Sequence, residues 1–394
     1  MLRNGEDHVG IRAMKLGVNA WRIRGRTGVP RYVSNVVRGW TSALVGTRFD
    51  AIELYTPEPL DREALGLPSN LSVRVLRPNM RQLIWENTRL GPVCDADVLW
   101  CPAYSRPILT RARTVVTTHD ATWKMFPHLY PFATRTFYAA LYGWSARHAT
   151  LVITNNETTR SDIIRCFGVD PGRIRVVPLA AAEIFRPIRD DHKLADVRAK
   201  YVGADVPFFL SVGKLSPRRN VPKIIEGFAQ FKKTTGLPHR LLVIGENSLG
   251  LPFDEVAASF GVRNECIHPD FVPDQDLTLL YNAAEAFILA ATYEANSFTS
   301  LEAQATGTPV IVPDTPGMCE MTGRIALILP VVDPATIAAA MERMARDPSL
   351  RGDLSARGLE HAARFTWPRT SAALLAVLEE AAALPPHEAV ERMQ

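Results

Sequence analysis

The stretch Ala284-Glu285-Ala286-Phe287-Ile288-Leu289-Ala290-Ala291-Thr292-Tyr293-Glu294-Ala295-Asn296-Ser297-Phe298-Thr299-Ser300-Leu301-Glu302-Ala303-Gln304-Ala305-Thr306-Gly307-Thr308-Pro309-Val310-Ile311-Val312-Pro313 decides the fold. Ala286–Ala291 is short, apolar and uncharged, as expected of a strand buried on both faces of a parallel sheet. Thr292–Asn296 then forms a turn carrying Glu294. Asn296 or Ser297 supplies an N-cap, and a helix runs through Leu301, Glu302 and Ala305 to stop at Gly307. Pro309 opens the next strand, Val310–Val312. The pattern is a βαβ unit with one carboxylate on the loop and another in the helix. The helix N-terminus offers unpaired N–H groups to an anion. Glu302 stands close enough inside to reach a sugar hydroxyl attached to that anion. Phosphates on the N–H groups and hydroxyls on the carboxylates suit a nucleotide sugar.

The rest of the chain is consistent with a large α/β protein. At 394 residues it holds two domains of ordinary size. Its apolar content of 47% and charged content of 22% are globular values, and a net charge of +4 is too small to argue for nucleic acid. The five cysteines, Cys94, Cys101, Cys166, Cys266 and Cys319, are scattered and unpaired in spacing, which points to reduced thiols in a cytoplasmic protein. No apolar run is long enough to span a bilayer, and no signal-peptide core is seen. Residues 1–13 are expected to be a disordered extension.

Strands alternate with helical patterns along the chain. Lys15–Ala20 is the first strand, and the loop Trp21–Pro30 after it is rich in Arg and Gly. Such a loop lets backbone approach a phosphate or sugar. Tyr32, Val33, Val36, Val37 and Trp40 then recur at helical spacing. Ala51–Tyr55 and Ser72–Leu76 are strands, and Met80–Leu90 is a helix that either packs on the sheet or meets a membrane or lipid-linked acceptor. Asp95-Ala96-Asp97 reads as the turn before strand Val98–Trp100 rather than a metal-binding pair. Arg113–Thr118 is a β-branched strand whose end carries His119 and Asp120, and strand ends of open α/β sheets are where ligands bind. Phe132–Ala149, strand Leu151–Thr154, helix Thr158–Phe167 and strand Arg173–Val177 follow. Residues 179–206, with mixed charge and a short helix near Leu194–Tyr201, are expected to link the domains.

The second half opens on strand Phe208–Val212 and the turn Gly213-Lys214-Leu215-Ser216-Pro217-Arg218-Arg219-Asn220. Lys214, Arg218 and Arg219 at a strand end, beside a helix that Pro222 opens, are a diphosphate site by charge and geometry. Arg240–Gly245 and Ile267–Phe271 are strands, Phe253–Phe260 is a helix, and Asp274 is placed as the cap of another. Ala326–Pro330 is the last strand, followed by helices over Ala335–Ala345, Leu350–Phe365 and Ser371–Leu384.

Glu294 and Glu302, eight positions apart and followed by Ala303, Gly307, Pro309, Val310 and Ile311, resemble the Glu-x7-Glu signature of the retaining glycosyltransferases of family 4. Ala295, Asn296 and Ser297 stand where that family usually has Gly-Phe-Gly. Other strings agree: Gly28-Val29-Pro30-Arg31-Tyr32, His119-Asp120, the basic turn at 213–220, Glu320, and Phe365-Thr366-Trp367. The resemblance implies a GT-B fold, two Rossmann-like domains facing across a cleft, with a last helix crossing back to the first. It divides the chain into the extension 1–13, an acceptor-binding domain 14–178, the linker 179–206, a nucleotide-sugar domain 207–370, and a return helix with tail 371–394.

The resemblance also implies roles. Gly28, Gly213, Lys214, Arg218, Arg219, Glu294, Ala295, Asn296, Ser297, Phe298 and Glu302 would bind the donor. His119, Glu294, Lys214 and Arg219 would be the catalytic group, with Arg26 and Asp120 on the acceptor side. The reaction would be retaining hexosyl transfer, without metal or other cofactor, in polysaccharide synthesis. The Pro-Arg-Arg-Asn string is similar to that of members using GDP-mannose. The acceptor would be a saccharide or lipid-linked saccharide, at the cytoplasmic face of a membrane if peripheral. A catalytically silent nucleotide-sugar-binding protein and a GT-B epimerase or hydrolase are the rival readings.

Overall fold

The computed structural model describes residues 14–25, 28–42, 48–203 and 205–385. The expectations for residues 1–13, Arg26 and the end of the tail lie outside the described residues. Two all-parallel sheets organise the chain. The first runs β3-β2-β1-β4-β5-β6-β7, with β1 Lys15–Asn19, β2 Ala51–Thr56, β3 Leu71–Val75, β4 Val98–Cys101, β5 Arg113–Thr117, β6 Leu151–Thr154 and β7 Ile174–Val176. The second runs β10-β9-β8-β11-β12-β13, with β8 Phe208–Val212, β9 Arg240–Ile244, β10 Cys266–Ile267, β11 Ala286–Ile288, β12 Val310–Pro313 and β13 Leu327–Leu329. Each sheet reverses its winding beside its first strand, between β1 and β4 and between β8 and β11. In such sheets the crevice at that point, outside the carboxyl ends of the strands, is the ligand site. The fold is α/β with two Rossmann-like halves.

Both sheets are covered by helices, so their central strands are buried on both faces. β4, β6, β8, β11 and β12 are buried at every residue. One apolar core on the first sheet gathers Leu16, Val18, Trp100 and Ile153 from strands with Val36 and Val37 from the helix Val29–Arg38 and Trp40 just beyond its end. The same core takes in Trp367, Leu374, Leu375, Leu378 and Ala381 of the final helix Trp367–Ala383. That helix belongs by sequence to the end of the second half and by packing to the first. Trp40 Nε1 donates to Ser371 O at 3.2 Å, and Ser371 Oγ donates to Val36 O at 2.9 Å. It begins at Trp367, four positions before Ser371, because Pro368 sits in its first turn where no N–H is needed.

Several other boundaries move for physical reasons. The segment expected as a linker holds the helix Asp191–Val202, and Phe185, Val197 and Val202 pack into the core of the second sheet. Met80–Leu90 is helical in shorter pieces: Gln82–Trp85, a π turn over Glu86–Leu90, and Gly91–Val93. Trp85 and Leu90 are buried against the sheet, while Ile84 is half exposed. Asp274 is not a cap. It is the first residue of the helix Asp274–Ala283 and its carboxylate is used elsewhere. Asp95 and Asp97 secure β1: Asp97 Oδ2 accepts from Lys15 N at 2.9 Å, and Asp95 Oδ1 pairs with Lys15 Nζ at 2.9 Å. Among the described residues no helix is long and apolar enough to cross a membrane.

Candidate active site

The carboxyl ends of the two sheets face one cavity of about 1250 Å³, lined from both halves. That is ample for a drug-sized ligand, whose sites usually run to about 1,000 Å³. Gly28, His119 and Asp120 come to it from the first half; Gly213, Lys214, Arg218, Arg219, Glu294, Ala295, Asn296, Phe298 and Glu302 come from the second. The sequence-predicted site therefore assembles, with two exceptions. Arg26 lies outside the described residues. Ser297 does not line the cavity: its hydroxyl accepts from Ser300 N at 3.2 Å as the N-cap of the helix Phe298–Thr306 and meets Ser300 Oγ at 2.8 Å.

The basic turn is built by a close meeting of backbones. Gly213 follows β8 at φ 134°, and Gly245 follows β9 at φ 151°. A Cβ at Gly245 would fall 2.2 Å from Gly213 O, and one at Gly213 would strike the Arg219 guanidinium. Only glycine fits either place. Arg219 lies over that backbone and donates to Val212 O at 2.8 Å. Arg218 donates to Tyr293 O at 2.8 Å and to Glu294 Oε2 at 2.6 Å, while Arg219 Nη2 stands 3.2 Å from the same oxygen. Glu294 is thus already neutralised by two guanidinium groups. Lys214 is different: its side chain is 52% exposed, with Glu246 at 3.8 Å. It is the most exposed of the three cations.

Glu302 is held from across the cleft. Arg31, in the helix after Gly28, donates to Glu302 Oε1 at 2.6 Å and to both Asp274 oxygens at 2.8 Å. Tyr281 O–H donates to Glu302 Oε2 at 3.3 Å. Burial pushes the Glu302 carboxyl up to about 7; Arg31 pulls against this and Asp274 adds to it. The sequence reading missed this cluster. Arg31 was legible only as part of a Gly-x-x-Arg-Tyr string, and Asp274 stood where an Asp is ordinarily a cap.

His119 sits between two acceptors. Its Nε2 is 2.8 Å from Pro102 O and its Nδ1 3.0 Å from Asn155 Oδ1. Asn155 Nδ2 donates to Val177 O at 3.1 Å, which fixes that amide's orientation. Burial drives the imidazole below its ordinary value against those hydrogen bonds. Tyr32 and Tyr104 meet the ring edge-on, at 5.1 and 5.3 Å. Its backbone carbonyl accepts from Asn296 Nδ2 at 2.7 Å, and Asn296 Oδ1 accepts from Asn156 at 3.0 Å. Asn296 thereby ties the donor-side turn to the first half. A third tie is Glu320. Its oxygens accept from Glu157 N at 2.7 Å and Thr158 N at 2.8 Å, filling the N-terminus of the helix Glu157–Phe167 from the opposite domain.

Two family models match successive parts of the chain: Glycosyltransferase Family 4 over residues 26–180 and Glycosyl transferases group 1 over residues 196–361. The chain belongs to the family 4 glycosyltransferases and has their GT-B fold. Among its relatives is the O-antigen chain mannosyltransferase B of Escherichia coli, 28% identical over 65% of this chain and 67% of that protein. The D-inositol 3-phosphate glycosyltransferase of Acidothermus cellulolyticus is 30% identical over 62% of this chain, and the match spans only 56% of that relative's length. Of solved structures, Anabaena HepE in complex with UDP-glucose superposes with a TM-score of 0.72 over 92% of this chain and 98% of that one, at 15% identity. That likeness bears on the fold alone.

Proposed function

We propose that this protein moves a hexose from a nucleotide-diphosphate sugar to a saccharide or lipid-linked saccharide acceptor, with retention at the anomeric carbon and without metal. GDP-mannose is the favoured donor, supported by the Pro217-Arg218-Arg219-Asn220 string and by a relative named as a mannosyltransferase. The observation that carries the reading is one cavity whose walls bring Lys214, Glu294 and Glu302 from one half against Gly28 and His119 from the other. In this reading residues 207–370 hold the donor and residues 14–178 the acceptor.

Lys214 neutralises the departing diphosphate, with Arg219 behind it. Glu302 takes the ribose hydroxyls, for which Arg31 must give way. Glu294, braced by Arg218 and Arg219, fixes the sugar through the turn that follows it. Positioning and electrostatic stabilisation then supply the rate, with the leaving phosphate helping to deprotonate the acceptor hydroxyl. The test is a melting-temperature series with GDP, UDP and ADP, since a ligand that binds the native state raises the melting point. It is followed by incubation with GDP-mannose and mannose-terminated acceptors in EDTA. A shift with GDP and an α-linked product are expected. A shift with UDP alone removes GDP-mannose; binding with no turnover of any donor favours a silent binding protein; activity restored only by manganese removes metal independence.

A further inference from the structure

The first half carries aromatic side chains that the donor chemistry does not use. From His119 an unbroken series of ring contacts leads away from the cavity wall. Tyr104 meets His119 at 5.3 Å, and Tyr142 stacks on Tyr104 at 4.7 Å with 19° between the planes. Tyr138 follows at 5.2 Å, Trp123 at 5.0 Å, and Tyr130 at 4.0 Å from Trp123. Tyr104, Tyr142, Tyr138, Trp123 and Tyr130 are all half-buried residues. The far end curves back to the cleft. Phe126, just beyond Trp123, packs at 5.0 Å on Tyr293, the neighbour of Glu294. Tyr130 also feels the charges of Asp120 on one wall and of Arg218 and Glu294 on the other.

The inner end of this arc is strained. Tyr104 has φ 67°, a left-handed backbone that a bulky residue rarely adopts. Such conformations persist where surrounding contacts enforce them, and they cluster at functional sites. Here the enforcement is visible. Tyr104 O–H donates to Asp120 Oδ2 at 2.8 Å, and Tyr104 N donates to Thr117 O at 3.0 Å. The next residue, Ser105, donates to the buried Glu86 at 2.9 Å, an oxygen that also takes Asn19 and Gln82. That network holds the Tyr104 ring at the cavity wall.

We infer that this arc is the acceptor subsite, and that it takes a neutral oligosaccharide of several sugar rings rather than a monosaccharide. The assignment rests on the glycosyltransferase reading above. Sugar rings present C–H faces that pack on aromatic faces, and hydroxyls that bond to polar ring edges; tyrosine and tryptophan offer both. The arc is made of tyrosines and one tryptophan, it meets the cavity at Tyr104, and its successive rings stand 4.7, 5.2, 5.0 and 4.0 Å apart, more ring contacts in a row than one sugar would use. A lipid surface would be better served by Phe132 and Phe137 on the same helix, 72% and 55% exposed, which stand outside the stacked series except for an edge contact of Phe137 with Tyr138.

The test uses calorimetry of the whole protein with GDP present, titrating mannotriose, maltotriose and cellotriose against mannose and glucose. At least one trisaccharide should bind ten-fold or more tightly than its monosaccharide. Trp123→Ala and Tyr138→Ala should each erase most of that difference, Trp123→Tyr and Tyr138→Phe should keep it, and GDP affinity and circular dichroism should be unchanged. Phe132→Ser should leave trisaccharide binding intact. The inference is overturned if no trisaccharide binds, if Trp123→Ala and Tyr138→Ala bind it normally, or if those variants instead lose sedimentation with phosphatidylglycerol vesicles. Failure of the unmodified protein to bind GDP, UDP or ADP would undo the glycosyltransferase reading, a separate outcome; if UDP alone binds, the titrations are run with UDP.

Discussion

Glu302 is a carboxyl 1% exposed, opposite an arginine from the other half of the molecule. Its folded-state value near 7 lies above the ordinary 4.5. Between these limits the folded protein therefore holds more of the proton than the unfolded chain, and stability falls as pH rises through the window. The shift corresponds to roughly 3 kcal/mol. The unfolding free energy of wild type minus that of Glu302→Gln should accordingly fall by about 3 kcal/mol from pH 4.5 to 7 and stay level above; a difference independent of pH removes the assignment. Lys214 makes the contrasting case. Being half exposed, it should leave the melting point unchanged on Lys214→Ala while lowering kcat by a factor equivalent to about 2–4 kcal/mol, the scale for losing one group that stabilises developing charge. Single-turnover rates with bound donor would measure it. Lys214, Glu294 and Glu302 were legible in the sequence because each sits at a fixed offset from a strand end. The Arg31–Glu302 pair was not, because its partners are 271 positions apart and meet only through the docking of two halves. The sequence likewise indicated that Glu294 faced a cleft, but not that two guanidinium groups already hold it.

At the level of elements, alternation of apolar runs and amphipathic stretches was enough to place most strands and helices, since parallel strands buried on both faces leave an uninterrupted apolar run. Ends were harder. The run Ala286–Ala291 pairs as a strand only over Ala286–Ile288: Leu289 N still donates to Ile311 O at 3.0 Å, but Ala290 O then takes Asn220 Nδ2 at 2.8 Å and Thr292 N goes to Arg218 O at 2.8 Å, so the chain leaves the ladder for the basic turn. The final helix depends on a close approach at Gly39, where a Cβ would lie 2.4 Å from Ser371 Oγ and 2.7 Å from Ser371 Cβ. Gly39→Ala should destabilise the protein by about 1–3 kcal/mol, the usual range for overpacking. Adding Ser371→Gly removes the clashing atoms, so denaturant unfolding of the double variant should recover part of the loss; strict additivity would show that the contact is not where the helix is held.

At the level of the molecule, three ties cross the cleft: Arg31 to Glu302 and Asp274, Asn296 to His119 and Asn156, and Glu320 to the helix at Glu157. In this structure they hold the two halves against one another across the cavity. Removing two ties together, in Arg31→Ala with Glu320→Ala, should enlarge the radius of gyration in solution scattering without ligand, and a saturating donor analogue should reduce it again. Identical curves in all three samples would show that these contacts do not govern closure. The division of labour gives a second outcome. His119→Ala should still bind GDP, because the proposed phosphate contacts of Lys214 and Arg219 belong to the other half, yet should lose most transfer; a variant as active as wild type would leave His119 with a structural role only.

The last helix has a consequence for the order of synthesis. The first sheet leaves the ribosome early, but Val36, Val37 and Trp40 wait for Trp367, Leu374 and Leu378 to cover them. Every residue of the second half must be made in the interval. The domain that is first in sequence is thus among the last to be finished, and until then it carries an open apolar face of the kind that aggregates or recruits chaperones. A chain shortened before residue 367 would leave that face of the first half uncovered, while the cores of the second sheet, which take nothing from the last helix, would be whole.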